Sequence, residues 1–442
     1  MRVLLIGYGA VGQGLTPLLL KHFNLNTEQV CIIAADDEGL TVADTYDLRF
    51  INQALNQQNY REILSKLLAK GDWLINVSVD VSSLALIQWS QQAEVLYLDT
   101  CIEPWSGGYR NTQDVDKTTN YALRFQALNE HAQGKPTAIV AHGANPGLVT
   151  HFVKAGLLNL AKIKHIPTWE SWGDLAQQLG IQVVQIAERD TQQTLSPLIE
   201  GEFANTWSAD GLISEAWQCA EMGWGSHELT LPANTFQHQY GDKSGIYLNE
   251  HSVNMKIKSW VPSCGHQDTY LIAHHESLSI ANLLTINGRT TENPEYRPTV
   301  YFAYRPADLT CESLSQWTAN AYKEPKRKRV MREELHDGFD QLGVLFVFSG
   351  GAYWYGSTLH LEHARKLAPY NNATSLQVVA GIIGALEWMQ KHPNEGVIEA
   401  ESMDFQVILD VAMPYLGEVS GVLTDWQPAE DGALQFLDFI MD

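Results

Sequence analysis

Two groups of residues in this chain have types and spacings that could do chemistry. The first is Gly7-Tyr-Gly9-Ala10-Val11-Gly12, set between the apolar run Val3-Leu-Leu-Ile6 and the apolar stretch from Leu15 to Leu20. Glycines at this spacing, after a strand and before a helix, make a phosphate cradle. Gly7 permits the tight turn, Gly9 lets a pyrophosphate approach bare backbone, and Gly12 lets the helix pack close to the strand. The helix N-terminus then points free N–H groups at the phosphates. Val30-Cys-Ile-Ile-Ala34 reads as the next strand, with Asp36-Asp37-Glu38 at its end. A carboxylate there hydrogen-bonds ribose hydroxyls and repels a 2′-phosphate, so Asp36, with Asp37 close behind, favours NAD over NADP.

The second group is a set of short acidic and aromatic phrases. They are Ala187-Glu188-Arg189-Asp190-Thr191, Asn205-Thr-Trp207-Ser-Ala-Asp-Gly211 leading to Glu215, Gly223-Trp-Gly-Ser-His-Glu228, His274-His-Glu276, and His336-Asp-Gly-Phe-Asp340. Indole faces attract cations, and carboxylates pair with ammonium groups, so a pocket lined by both suits an organic amine. Taken singly, each of these residues also reads as a core Trp or a surface turn. His274 and Glu276 read as neighbours on one strand face. With no third ligand in view, the pair is not read as a metal site. Lys154 fits a solvated helix lysine better than a Schiff-base amine.

The elements that must position the first group alternate. Helices are expected over 60–70, 82–92 and 120–131, and strands at Trp73 to Asp80, Val95 to Asp99 and Thr137 to His142. Strands alternating with helices predict an α/β, doubly wound Rossmann domain over 1–150. Ligands bind such sheets beyond the carboxyl ends of the strands. Asn76 and Ser78, Asp99, Thr100 and Glu103, and Asn145 all fall at those ends.

From about residue 150 the pattern changes to alternating strands at 181–187, within 248–260, at 299–304 and at 342–348. This predicts a second α+β domain over 151–372 with a mixed or antiparallel sheet. The apolar stretch 373–390 is expected as a helix that completes the nucleotide domain, with 391–442 as a C-terminal extension. The basic run Lys326-Arg-Lys-Arg329 reads as a solvated or intersubunit loop.

Composition narrows the classes. Lys plus Arg is 29 against 51 for Asp plus Glu, a net charge of −22. That balance disfavours nucleic acid and anionic membranes, and no apolar stretch reaches membrane-spanning length. Five scattered cysteines without a CxxC pair suggest reduced thiols and a cytoplasmic setting.

The chain resembles the bacterial homospermidine synthases, of the saccharopine-dehydrogenase-like group, over nearly its whole length. The likeness is carried by Gly7 to Gly14, Asn76-Val-Ser-Val-Asp80, Asp99-Thr-Cys-Ile-Glu-Pro-Trp105, His142-Gly-Ala-Asn-Pro-Gly147, the Glu188, Trp207 and Trp224 phrases, Tyr296-Arg-Pro-Thr299, Trp354-Tyr-Gly-Ser357 and Pro414-Tyr-Leu-Gly417. The resemblance implies a cytosolic, homodimeric, NAD-dependent enzyme that joins two putrescines into homospermidine and releases ammonia, with spermidine as another aminobutyl donor. The hydride taken by NAD is returned, without net consumption. The resemblance also implies Trp207 and Glu215 as central substrate residues, and Glu103, Glu188 and Asp340 as carboxylates holding ammonium ends. Asn145, His274 and Glu276 are implied as further active-site groups. Hydride leaves an amine-bearing carbon only when that amine is neutral, so Glu215, with His274 beside it, is expected to accept a proton.

Two other readings are open. A saccharopine- or carboxynorspermidine-type dehydrogenase handles amino-acid carboxylates and needs basic pocket residues, for which Arg189 and Arg297 are available. A non-catalytic NAD-binding protein needs only the first domain.

Overall fold

The computed structural model describes residues 1–110, 114–288, 294–429 and 432–441. The chain forms two compact units, each built from separated segments. The first takes residues 1–118, 122–148 and 362–416, and the second takes 119–121, 149–361 and 417–442.

The first unit is a parallel sheet with the strand order of a Rossmann domain. Its strands are β1 (Val3–Ile6), β2 (Val30–Ala34), β3 (Arg49–Asn52), β4 (Trp73–Asn76), β5 (Leu96–Asp99) and β6 (Ala138–Ile139). The order is β6-β5-β4-β1-β2-β3, and Val397–Ile398 adds a parallel strand beyond β6. β1 and β4 are near-continuous apolar runs because helices cover both faces of such a sheet. Helix α1 (Ala10–His22) follows the glycine turn, and the helix Ala373–Lys391 packs beside it. The contact is close because a side chain on Gly14 would fall 2.2 Å from Asn371 Oδ1. Asn371 Nδ2 instead donates to the Gly14 carbonyl at 3.0 Å. Asn372 caps the later helix through Ser375. A buried ion pair, Arg124 to Glu399 at 2.6 Å, ties the returning segment to this unit.

The second unit holds a ten-stranded mixed sheet. Its central strands are β7 (Ile181–Asp190), flanked by Thr299–Arg305 in parallel and by Phe339–Phe348 in antiparallel pairing. Strand alternation sorts its faces. Val183, Ala187, Ala303, Leu345 and Val347 enter one apolar core. Glu188, Asp190, Phe302, Tyr304 and Asp340 fall on the opposite face by register, since Glu188 pairs with Tyr304 and Asp190 with Asp340. Two adjacent strands thus put three carboxylates, and a third strand two aromatic rings, on one side of a sheet.

The last segment does not form one extension over 391–442. Its helix Phe405–Ala412 and the strand Val397–Ile398 belong to the first unit, whereas Glu418–Thr424 adds an antiparallel strand to the second sheet. The reason is the pairing partners: β6 and the strand Gly351–His360 each take a neighbour from this segment. Residues 430–431 and 442 of the expected extension lie outside the described residues. The basic run is a strand, Arg327–Val330, and its charges are matched: Arg327 and Arg329 pair with Glu202, and Lys328 with Asp210 and Glu324. Among the described residues, no helix is long and apolar enough to cross a membrane.

Candidate active site

In the first unit the residues expected to hold a nucleotide sit at the carboxyl edge of β1 and β4. Gly7 has φ +87°, and a Cβ there would meet the Ser78 backbone at 2.8 Å. No L side chain fits that turn. A Cβ on Gly12 would meet the Gly7 carbonyl oxygen at 2.6 Å, so α1 approaches β1 only with glycine there. Gly9 differs, because nothing lies within 4 Å of where its Cβ would be. It caps the N-terminus of α1, followed by Ala10 and Val11. The open volume therefore sits where unpaired helix N–H groups point, as a phosphate site requires.

Asn76 Oδ1 receives bonds from the Ser78 hydroxyl at 2.6 Å and the Ser78 amide at 3.2 Å. Its Nδ2 is buried without a hydrogen-bond partner, a donor left for a ligand at the sheet edge. Asp36 is exposed beyond β2 and accepts the Glu38 amide at 3.0 Å. Thr100 follows β5 and lies against Gly143, in the loop that carries half-buried Asn145. Glu103 is buried, and its amide donates to Ser83 Oγ at 3.0 Å. This set fits a dinucleotide: a bare-backbone cradle, an orphan donor and an exposed acid for ribose.

In the second unit the structure brings Glu215, His274 and Glu276 together. Ser208 starts the helix Ala209–Trp217 by accepting the Gly211 amide at 2.9 Å, a cap of about 1 kcal/mol. Trp207 stands just before that cap and Glu215 near the far end. His274 is not on a strand face with Glu276: the strand Gly265–Ile272 has ended, and Glu276 opens the helix Glu276–Leu283. The tight turn still lets the two side chains meet, and His274 Nδ1 and Glu276 Oε1 are 3.1 Å apart. His274 Nε2 lies 3.1 Å from Glu215 Oε2, but off the line of a hydrogen bond, so each of these two atoms retains capacity for a third group.

Burial alone pushes His274 down, but the Glu276 and Glu215 carboxylates outweigh it and hold the imidazole well above its ordinary range. The trio is therefore a buried imidazolium between two carboxylates, with one negative charge in excess. Glu276 is fully buried, whereas the Glu215 side chain is 19% exposed and is the one reachable from outside.

An aromatic row leads away from it. His274 lies 4.5 Å from the Phe302 ring, Phe302 stacks on Tyr304 at 5.2 Å, and the Trp207 indole N–H donates to Tyr304 Oη at 3.3 Å. Beyond Tyr304 come buried Glu188, Asp190 and Asp340. Asp190 accepts from Thr206 Oγ1 at 2.6 Å and from the Gln192 amide at 2.8 Å, which anchors the residue before Trp207. Burial pushes the Asp190 carboxyl up. Asp190 and Tyr304 were not singled out from sequence. The signal was period two: Glu188 and Asp190 share a face, as do Phe302 and Tyr304.

The arginines that a carboxylate-handling pocket would use are engaged elsewhere. Arg189 binds the Pro306 carbonyl and Asp308, and Arg297 binds Thr285 and the carbonyls of Trp224 and Lys243.

Comparison with known proteins also divides the chain in two, in sequence order. Residues 3–141 match the model described as saccharopine dehydrogenase NADP binding domain, and residues 143–424 match saccharopine dehydrogenase C-terminal domain. The class is thus a two-part protein of the saccharopine dehydrogenase type. A homospermidine synthase of Mesorhizobium japonicum is 39% identical over 97% of this chain and 91% of its own length. That of Blastochloris viridis is 39% identical over 96% and 92%. The crystal structure of the Legionella pneumophila homospermidine synthase in complex with NAD superposes with a TM-score of 0.92 at 42% identity, covering 100% of this chain and 98% of that one. The chain belongs to the homospermidine synthase family.

Proposed function

We propose that the protein is an NAD-dependent homospermidine synthase that joins two putrescines, or spermidine and putrescine, with release of ammonia or diaminopropane. The observation that carries the reading is the buried Glu215–His274–Glu276 trio, linked through Phe302 and Tyr304 to the Trp207 indole, with Arg189 and Arg297 both engaged elsewhere. Such a site selects a cationic amine over an amino-acid carboxylate, which disfavours the dehydrogenase alternative.

NAD, when bound, supplies the hydride acceptor and the later donor. Gly7, Gly9, Ala10, Val11 and Gly12 would cradle its pyrophosphate, Asp36 its ribose hydroxyls, and Asn76, Ser78 and Thr100 the sheet edge beside it. Asp36 supports NAD over a 2′-phosphorylated cofactor.

Glu215 accepts the proton that leaves the reacting ammonium, because it is the exposed member of the trio. His274 is held as a cation and orients Glu215 instead of sharing that task. Glu276 keeps the imidazole charged. The Trp207 face stabilises the cationic imine of the substrate and its exchange partner. Glu188 and Asp340 hold ammonium ends and fix reach; the family resemblance implies the same role for Glu103 and a further active-site role for Asn145. A homodimer in the cytoplasm completes the reading, on the strength of the family resemblance, and light scattering of the purified protein checks the assembly.

The test is a product assay. Purified protein with putrescine and substoichiometric NAD should yield homospermidine and ammonia by mass spectrometry, without lasting absorbance of reduced nicotinamide. Stoichiometric reduction without homospermidine would return the protein to the simple dehydrogenases. Bound NAD with no amine turned over would leave only a binding protein.

A further inference from the structure

The indole of Trp207 needs more than its neighbours' shape to present one face to a cation. A Trp side chain turns about two torsions, and attraction to the ring falls away once the cation leaves the region over the centroid. Burial alone does not require that an indole N–H be paired in this fold: Trp317, Trp354 and Trp388 bury theirs without a hydrogen-bond partner. Trp207 is only half-buried, yet its N–H is directed to a buried phenol oxygen, Tyr304 Oη, at 3.3 Å. The phenol is itself fixed, being 1% exposed and stacked on Phe302 with 16° between planes.

We propose that Tyr304 is a positioning residue for the homospermidine synthase reaction, whose hydroxyl oxygen holds the Trp207 indole N–H and so sets the ring's cation-binding face. The inference rests on the reading given above. Accepting the N–H does two things. It removes rotation of the indole, and it draws the N–H proton outward, which enriches the π face in electron density. A phenol suits this position better than another carboxylate, which would bind the substrate cation directly and compete with the ring. The phenol stays neutral, because burial, together with the charges of Glu188, Asp190 and Asp340, pushes its ionisation well above the ordinary tyrosine range. Packing supports the same geometry from below: a Cβ on Gly211 would lie 2.8 Å from Trp207 Cζ3, so the indole rests on the bare turn of the helix that carries Glu215.

The test is a double-mutant cycle on the full-length protein with NAD and putrescine. Tyr304→Phe keeps the ring that stacks on Phe302 and removes only the acceptor. Trp207→Phe keeps an aromatic face and removes the N–H. Tyr304→Phe alone should lower kcat about tenfold with unchanged NAD affinity. Added to Trp207→Phe, it should cost less than twofold, because the bond is already gone. Equal losses in both backgrounds, or no loss from Tyr304→Phe alone, would overturn the role. A second readout does not depend on turnover: the ¹⁵N-indole resonance of Trp207, assigned by its absence in Trp207→Phe, should move upfield in Tyr304→Phe. An unmoved resonance overturns the proposal. A wild-type protein that forms no homospermidine overturns the parent reading and this role with it, whereas an active wild type with independent mutational losses overturns this role alone.

Discussion

His274 Nδ1 and Glu276 Oε1 stand 3.1 Å apart in a site where both side chains are sealed from solvent. This bond fixes which way the imidazole faces and keeps a proton on it. Replacing Glu276 with Gln keeps the shape and removes a charge. The His274 pKa then falls, because one of the two carboxylates that together outweigh burial is gone. Activity that requires the imidazolium should be lost at a lower pH as pH rises, so the basic limb of kcat against pH moves to lower pH in E276Q. An unshifted limb would show that His274 does not act as a cation.

Glu215 is the proposed proton acceptor. E215Q cannot accept one, and general-base removal costs on the order of 10²–10⁴ in rate. NAD affinity, read by titration of intrinsic fluorescence, should stay within twofold of wild type. Rate loss with matching loss of NAD binding would point to misfolding instead.

The empty space at Gly9 separates binding from folding. G9V fills volume that no protein atom uses, so the melting temperature without NAD should hold while the Kd for NAD rises at least tenfold. Asp36→Ala should instead leave NAD binding measurable and narrow its advantage over NADP by about tenfold. Calorimetric titration with each cofactor checks both.

Gly211→Ala places a methyl against the Trp207 ring at 2.8 Å, and an indole cannot yield as a flexible chain end would. Turnover should fall at least fivefold while the helix, which gains a better former, keeps its stability. Circular dichroism melts alongside the product assay separate the two effects.

Glu221 offers a pH test of stability. It is buried and receives the amides of Asn120 and Tyr121 at 2.7 and 3.0 Å. Burial pushes its pKa up to about 7, above the ordinary carboxylate value of 4.5. The folded state therefore binds a proton more tightly than the unfolded one. Its contribution is greatest below the unfolded value and is lost as pH rises toward and through 7. E221Q has no such slope, so its melting temperature relative to wild type should climb between pH 5 and pH 8. Parallel curves would show that Glu221 does not titrate in this range.

The nucleotide unit was largely legible because glycine spacing and strand–helix alternation are local properties. Gly7, Gly9, Gly12 and Asp36 follow from the fragment they occupy. β3 and the strand Val397–Ile398 were not read: both are edge strands, β3 is a partly exposed Arg-Phe-Ile-Asn without an apolar run, and each exists through its sheet neighbour. In the second unit, sequence identified acidic and aromatic phrases, but their convergence depends on register between strands more than a hundred residues apart. The pairing of Glu188 with Tyr304 is of that kind. So is the turn after Ile272, which brings His274 to Glu276 by ending a strand that alternation alone would have continued.

The interleaving of the two units has a consequence for how the protein is made. A chain emerging from the ribosome has completed β1 to β6 by residue 139, but the helix Ala373–Lys391 and the strand Val397–Ile398 that finish the same unit come only after the whole segment 149–361 has been synthesised. Until then the apolar flank of α1, and the open edge of β6, face solvent. Nascent chains with unpaired edges and uncovered apolar helices are targets for chaperones and for misassembly. The nucleotide-binding half is thus begun first but completed only after the long middle segment, and the second unit closes after it, when 417–442 brings its last strand.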